Sequence, residues 1–169
     1  MYFPFFTCEV KCGAAALDVA DRQNTYSMTV AVRALIELFR SVKREKELDW
    51  EILAFSLSHD HRSVRIYGHY PVIEGEKTTF YRHPIHEFSF TALDGKEKWT
   101  AHKFVRNVYN HHSLKLHNII CLGIDDLPAD AESILGEDNS QSSLLASQEV
   151  IPTTSITQAT EPAFKKPRN

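Results

Sequence analysis

One long stretch of helical periodicity sets the terms for the rest of this chain. Met28, Val32, Leu35, Ile36 and Phe39 recur at the three- and four-residue spacing of one helix face. The pattern predicts a helix from about Val19 to about Lys46, with Asp18 as N-cap and Asp21 in the first turn. The charged run Lys43 to Glu47 reads as its solvated end. Leu35 belongs to the buried stripe and Arg40 lies off it. A one-sided apolar stripe needs a flat apolar partner, and the segments on either side of the helix supply strands.

Before the helix, Thr7-Cys8-Glu9-Val10-Lys11-Cys12 reads as a short buried strand, led in by Phe3, Phe5 and Phe6. Alternation puts Thr7, Glu9 and Lys11 on one face and Phe6, Cys8, Val10 and Cys12 on the other. The small-residue segment Gly13 to Ala16 turns the chain into the helix. After the helix, Ile52 to Ser58 is a continuous apolar run, His59 to Arg62 is turn-like, and Ser63 to Tyr70 alternates. These segments predict a β-hairpin that ends at Pro71. Glu74 to Lys77 is a turn, and Thr78 to Phe90 is extended, with Pro84 confining its middle to an edge or a bulge.

Asp94-Gly95 marks another turn. Helices follow from about Lys96 to Asn110 and from Leu114 to Leu127. The fold class is α/β: a small mixed sheet with the long helix packed on it, plus additional C-terminal helices. Residues 1–127 make one domain. From 128 to 169 Ser, Thr, Gln, Glu and Pro dominate, and the composition is that of a disordered tail. Its Lys165-Lys166-Pro167-Arg168 end reads as a solubilising basic terminus, with a nuclear-localisation fragment as the alternative.

Charge bears on partners. The net charge is -3, and residues 1–127 carry 16 acids and 16 bases. A neutral body lacks the broad basic footprint of a dedicated nucleic-acid binder but leaves room for a local basic cleft. No segment approaches transmembrane length, so no membrane partner is expected. Three scattered cysteines read as core thiols of an intracellular, reducing compartment, nuclear or cytoplasmic.

The candidate chemistry lies in Glu9 and Lys11. As a structural element they form an ion pair at the end of a half-exposed strand. As a functional one, the carboxylate holds a divalent cation while the ammonium offsets phosphate charge and orients the attacking water. Arg22, Gln23 and Tyr26, in the first turns of the helix, point back toward that strand end. A separate grouping, His59, His61 and His69 on the hairpin with His83 and His86 beyond it, has a metal-site reading and a simpler one as turn and strand-face polarity.

The strings Phe5 to Asp18, Ala20 to Asn24, Ser58 to Pro71 and Phe80 to Ile85 together resemble a fungal family whose domain is assigned no function. That family's layout is similar to the PD-(D/E)XK nuclease superfamily. The resemblance covers residues 1–128. It implies that Glu9 and Lys11 are the Glu-x-Lys pair of a nuclease site, with Glu9 as the metal ligand and Mg2+ or Mn2+ as the cation. It also implies that Gln23 lies near the DNA backbone, with Tyr26 one residue short of the matching pattern. Nucleic acid is then the partner class. The superfamily's first metal ligand, an Asp on an upstream strand, has no counterpart among Met1 to Cys8. The expectation is a nuclease-like domain truncated at its N-terminus and catalytically impaired; the alternative is a non-enzymatic binding module that retains the fold.

Overall fold

The computed structural model describes residues 3–12 and 16–128. Gly13 to Ala15 of the expected loop and the expected tail from Ala129 onward lie outside the described residues. The fold is mixed α/β. Strand β1 (Phe6–Val10) leads to helix α1 (Leu17–Ser41), then to β2 (Ala54–His59), β3 (Ser63–Glu74) and β4 (Lys77–Ser89). Helices α2 (Thr100–Asn107) and α3 (Ser113–Asp125) complete it.

The sheet order is β1-β2-β3-β4, with β1 parallel to β2 and the other pairs antiparallel. A parallel pair needs a crossover, and α1 provides it. Its buried stripe is the expected one, with Met28, Val32, Leu35, Ile36 and Phe39 all at most 1% exposed. These pack with Leu53, Ala54, Leu116 and Ile120 into the larger core. Each such side chain contributes on the order of 1.5–3 kcal/mol on burial. A smaller core on the other sheet face joins Leu57, Val64, Ile66 and Phe88 to Phe104 and Val105 of α2.

The hairpin is present, but β3 runs through Pro71 to Glu74. The last β2–β3 pair is Ala54–His69, so the missing Pro71 N–H falls beyond the end of β2 and costs no ladder bond. The Pro71 carbonyl still accepts the Trp50 N–H at 3.0 Å. Pro84 is where the pattern put it, on an edge strand beside a shift in register that leaves Ile85 without a cross-strand partner.

Several helix boundaries differ from the expectation. Helix α1 starts at Leu17 with Ala16 as an uncapped N-cap, because Asp18 is bonded to Arg65 instead. It ends at Ser41, and Lys43 turns left-handed (φ 59°) so that a 3-10 turn, Glu45–Leu48, can bury Leu48. The two C-terminal helices are continuous. A π-helical turn, Val108–His112, joins α2 to α3 without a break. Its wide turn brings His112 to the Leu53 carbonyl at 3.1 Å. Among the described residues no helix is long and apolar enough to cross a membrane.

Candidate functional site at the end of strand β1

Thr7, Glu9 and Lys11 project from β1 toward α1, as the alternation requires. Lys11 Nζ lies 3.7 Å from Glu9 Oε2 and donates to Gln23 Oε1 at 2.5 Å. The Lys11 side chain is 17% exposed and that of Glu9 37%. A mostly covered Lys11 side chain whose ammonium is held between a carboxylate and an amide oxygen keeps its charge at a fixed point. The structure thus brings Glu9, Lys11 and Gln23 together. Tyr26 is 76% exposed, and Arg22 is also on the solvent side of α1. Neither forms a hydrogen bond or ion pair with Glu9 or Lys11.

Beneath this trio lies a buried polar layer that the sequence reading did not single out. Asn24, 1% exposed, donates to the Leu57 carbonyl at 3.0 Å and to Ser58 Oγ at 2.8 Å. Ser58 is the cross-strand partner of Glu9, so the amide sits under the carboxylate's neighbour. Arg65 on β3 binds Asp18 at 2.7 Å, the buried Asp21 at 2.9 Å and Glu87 at 3.1 Å. These carboxylates hold its guanidinium charged more firmly than usual. The Tyr67 hydroxyl reaches Asp21, and Arg82 covers the Tyr67 ring at 4.5 Å. Arg82 also donates to Thr25 at 3.1 Å. His69, 4% exposed, shares a 2.8 Å hydrogen bond with Ser56, and burial pushes its imidazole down to about 4. The first turns of α1 are therefore fixed to the sheet by polar contacts, and the later turns by apolar ones. A signal existed: Asn24 falls on the apolar stripe between Ala20 and Met28, and Ser56 and Ser58 are the polar residues of the segment read as continuously apolar.

Some oxygens in this layer lack a hydrogen-bonding partner. They are Thr7 Oγ1, Asp21 Oδ1 and Asn24 Oδ1. Buried groups of this kind ordinarily recruit ordered water.

The cysteines correct the sequence reading. Cys8 and Cys12 are exposed and Cys121 is half-exposed, so none is a core thiol. Among the described residues, the face of β1 opposite α1 packs on the smaller core at Phe6, and Val10 is 51% exposed. Partial shielding of the sulfur, with the Glu9 carboxylate beside it, pushes the Cys8 thiol up. The hairpin histidines are dispersed: His69 is bonded to Ser56, His86 to Glu97, and His59 to the Asp60 carbonyl. Among the described residues no three His, Cys, Asp or Glu side chains are grouped so as to hold a metal ion. Any cation at the β1 end would have Glu9 as its carboxylate.

No curated protein and no solved structure matches the chain. The model of a domain of unknown function, DUF7924, matches residues 1–124. That span takes in the whole sheet, α1 and all but the last residue of α3. The chain belongs to the DUF7924 family.

Proposed function

We propose that this is a nuclease-like domain of PD-(D/E)XK layout that binds a phosphodiester, as nucleic acid, at Glu9, Lys11 and Gln23 and is impaired in cleaving it. The observation that carries the reading is the position of Lys11, with its ammonium between the Glu9 carboxylate and the Gln23 amide. An ammonium fixed at a strand end suits one phosphate oxygen, and an amide beside it is a second polar anchor for the backbone. A single carboxylate supports only weak binding of Mg2+ or Mn2+, which keep most of their waters and need further anionic ligands. Asp18 and Asp21 are the nearest acids on α1, and Arg65 engages both. The test is a cleavage assay on single- and double-stranded DNA and RNA with Mg2+ or Mn2+. The chain should leave all of them intact. Metal-dependent cleavage abolished by Glu9→Gln would show an active nuclease instead.

The second reading is a non-enzymatic interaction module that retains the fold, and a cross-strand row of rings favours it. Trp50, Tyr70 and Tyr81 stack at 5.6 and 5.7 Å, and Trp50 is 65% exposed at a left-handed φ of 61°. Exposed Trp and Tyr are the residue types that dominate protein–protein hot spots. Under this reading Trp50→Ala, and not Lys11→Ala, abolishes partner binding in a pull-down.

A further inference from the structure

We propose that the outer edge of β1 is a self-complementary interface through which two copies of the chain pair antiparallel, with Val10 on the two-fold axis. The inference rests on the backbone edge of β1 and the charges of Glu9 and Lys11 and does not depend on the ligand reading.

The two edges of the sheet differ. Strand β4 carries Arg82, His83, Pro84 and Glu87 and a shift in register, all of which discourage a further strand. Strand β1 has only β2 as a neighbour among the described residues, and its outward face is Phe6, Cys8 and Val10. The Phe55 N–H donates to the Phe5 carbonyl at 2.8 Å, and the Lys11 N–H to the His59 carbonyl at 2.9 Å. The odd-numbered residues of β1 thus direct their backbone groups to β2. By alternation, Cys8, Val10 and Cys12 direct theirs to the free edge.

An added antiparallel strand would therefore form its hydrogen-bonded pairs at these even positions. Symmetric registers with Cys8, Glu9 or Val10 on the axis satisfy that condition, and the one with Glu9 on the axis sets the two Glu9 carboxylates against each other. Charge separates them. With Cys8 on the axis, Glu9 meets Thr7 of the partner copy and Lys11 meets Phe5. With Val10 on the axis, Glu9 of each copy meets Lys11 of the other, so opposite charges pair twice. The sequence Cys8-Glu9-Val10-Lys11-Cys12 is then its own complement. Glu9 and Lys11 already share one face, 3.7 Å apart, so the four charges of two copies alternate in sign. The same register sets Cys8 against the partner's Cys12, each exposed on the other face. Hydrogen-bonded antiparallel pairs have Cα atoms about 5.5 Å apart. That spacing lies inside the window of about 4.4–6.8 Å that a disulfide spans.

The test uses the full chain carrying Cys121→Ser, with Cys8→Ser or Cys12→Ser added. Copper–phenanthroline takes two electrons from two thiols, two protons leave, and one S–S bond forms. Neither variant alone should cross-link, whereas an equimolar mixture should give a disulfide-linked dimer containing the Cys8–Cys12 peptide. In sedimentation, Lys11→Glu should reduce the dimer at least tenfold, and Glu9→Lys combined with Lys11→Glu should restore it. Circular dichroism confirms that the variants are folded. Three outcomes overturn the proposal: cross-linking of the Cys12→Ser variant by itself, a dimer indifferent to Lys11→Glu, or a monomer at every concentration with no cross-link in the mixture.

Discussion

Lys11 and Gln23 meet side chain to side chain although 12 positions separate them and they belong to different elements. Strand alternation turns Lys11 toward α1, and the phase of α1 turns Gln23 down to it. Neither residue would find the other if the helix were rotated by one position. The contact is therefore a sensitive report of how the start of α1 sits on the sheet.

Removing the amide should release the ammonium. Gln23→Ala should increase the rate at which a lysine-directed acylating reagent modifies Lys11 severalfold, read by mass spectrometry against the other lysines as internal standards. An unchanged rate would mean that Gln23 does not hold Lys11 in solution.

The apolar stripe predicts opposite outcomes for two substitutions on one helix. Leu35, 1% exposed, cannot accept a charge, and Leu35→Asp should leave no cooperative thermal transition. Val30 is 52% exposed, and Val30→Asp should change stability by no more than about 0.5 kcal/mol. Arg40 lies off the stripe, as its spacing required, but it donates to the Glu76 carbonyl and to Thr78 at 2.8 and 2.7 Å. Arg40→Asp should therefore destabilise more than Val30→Asp. Similar melting of the Leu35 and Val30 variants would contradict the phase of α1.

Arg65 matters most through the carboxylate it covers. Asp21 is 4% exposed, so Arg65→Met leaves a buried charge without its cation. That should cost about 3–5 kcal/mol in urea unfolding. Adding Asp21→Leu should recover part of the loss, because a buried pair replaced by apolar groups is often near neutral. Strictly additive losses would show that the two residues act independently.

His69 gives the fold a pH dependence of known sign. Burial, and then Arg82, lowers the pKa of its imidazole from the ordinary 6.5 to about 4 in the folded chain. The unfolded chain therefore takes up the proton first. The stabilisation is complete above pH 6.5 and is lost as pH falls toward 4, in total roughly 3 kcal/mol. Burial shifts His112 in the same direction. His69→Gln, which can still bond Ser56, should flatten the fall of Tm between pH 7 and about pH 4.5 without abolishing it. A slope equal to that of the wild type would place the titration elsewhere.

The features legible in the sequence were those with a period. The α1 stripe, the β2–β3 hairpin, the Pro84 irregularity and the shared face of Glu9 and Lys11 all follow from spacing. Features that depend on which polar group finds which partner were not legible. Asp18 has the look of an N-cap, yet Arg65, 47 positions away, engages it. The thiols of Cys8 and Cys12 are on the expected face, but periodicity does not say whether a face is covered, and here both residues are exposed. The junction between α2 and α3 looked like a boundary because Asn110, His111 and His112 are polar. A π-helical turn carries the chain through it and uses His112 as an anchor.

The most direct measurement is the binding of a fluorescein-labelled oligonucleotide to the chain at low salt without divalent metal, followed by anisotropy. The account predicts saturable binding that Lys11→Ala weakens at least tenfold. It predicts that Glu9→Gln leaves binding as tight or tighter, since that change removes a negative charge beside the phosphate. Binding that is equal in the wild type and Lys11→Ala, or no saturable binding to any oligonucleotide, would contradict it.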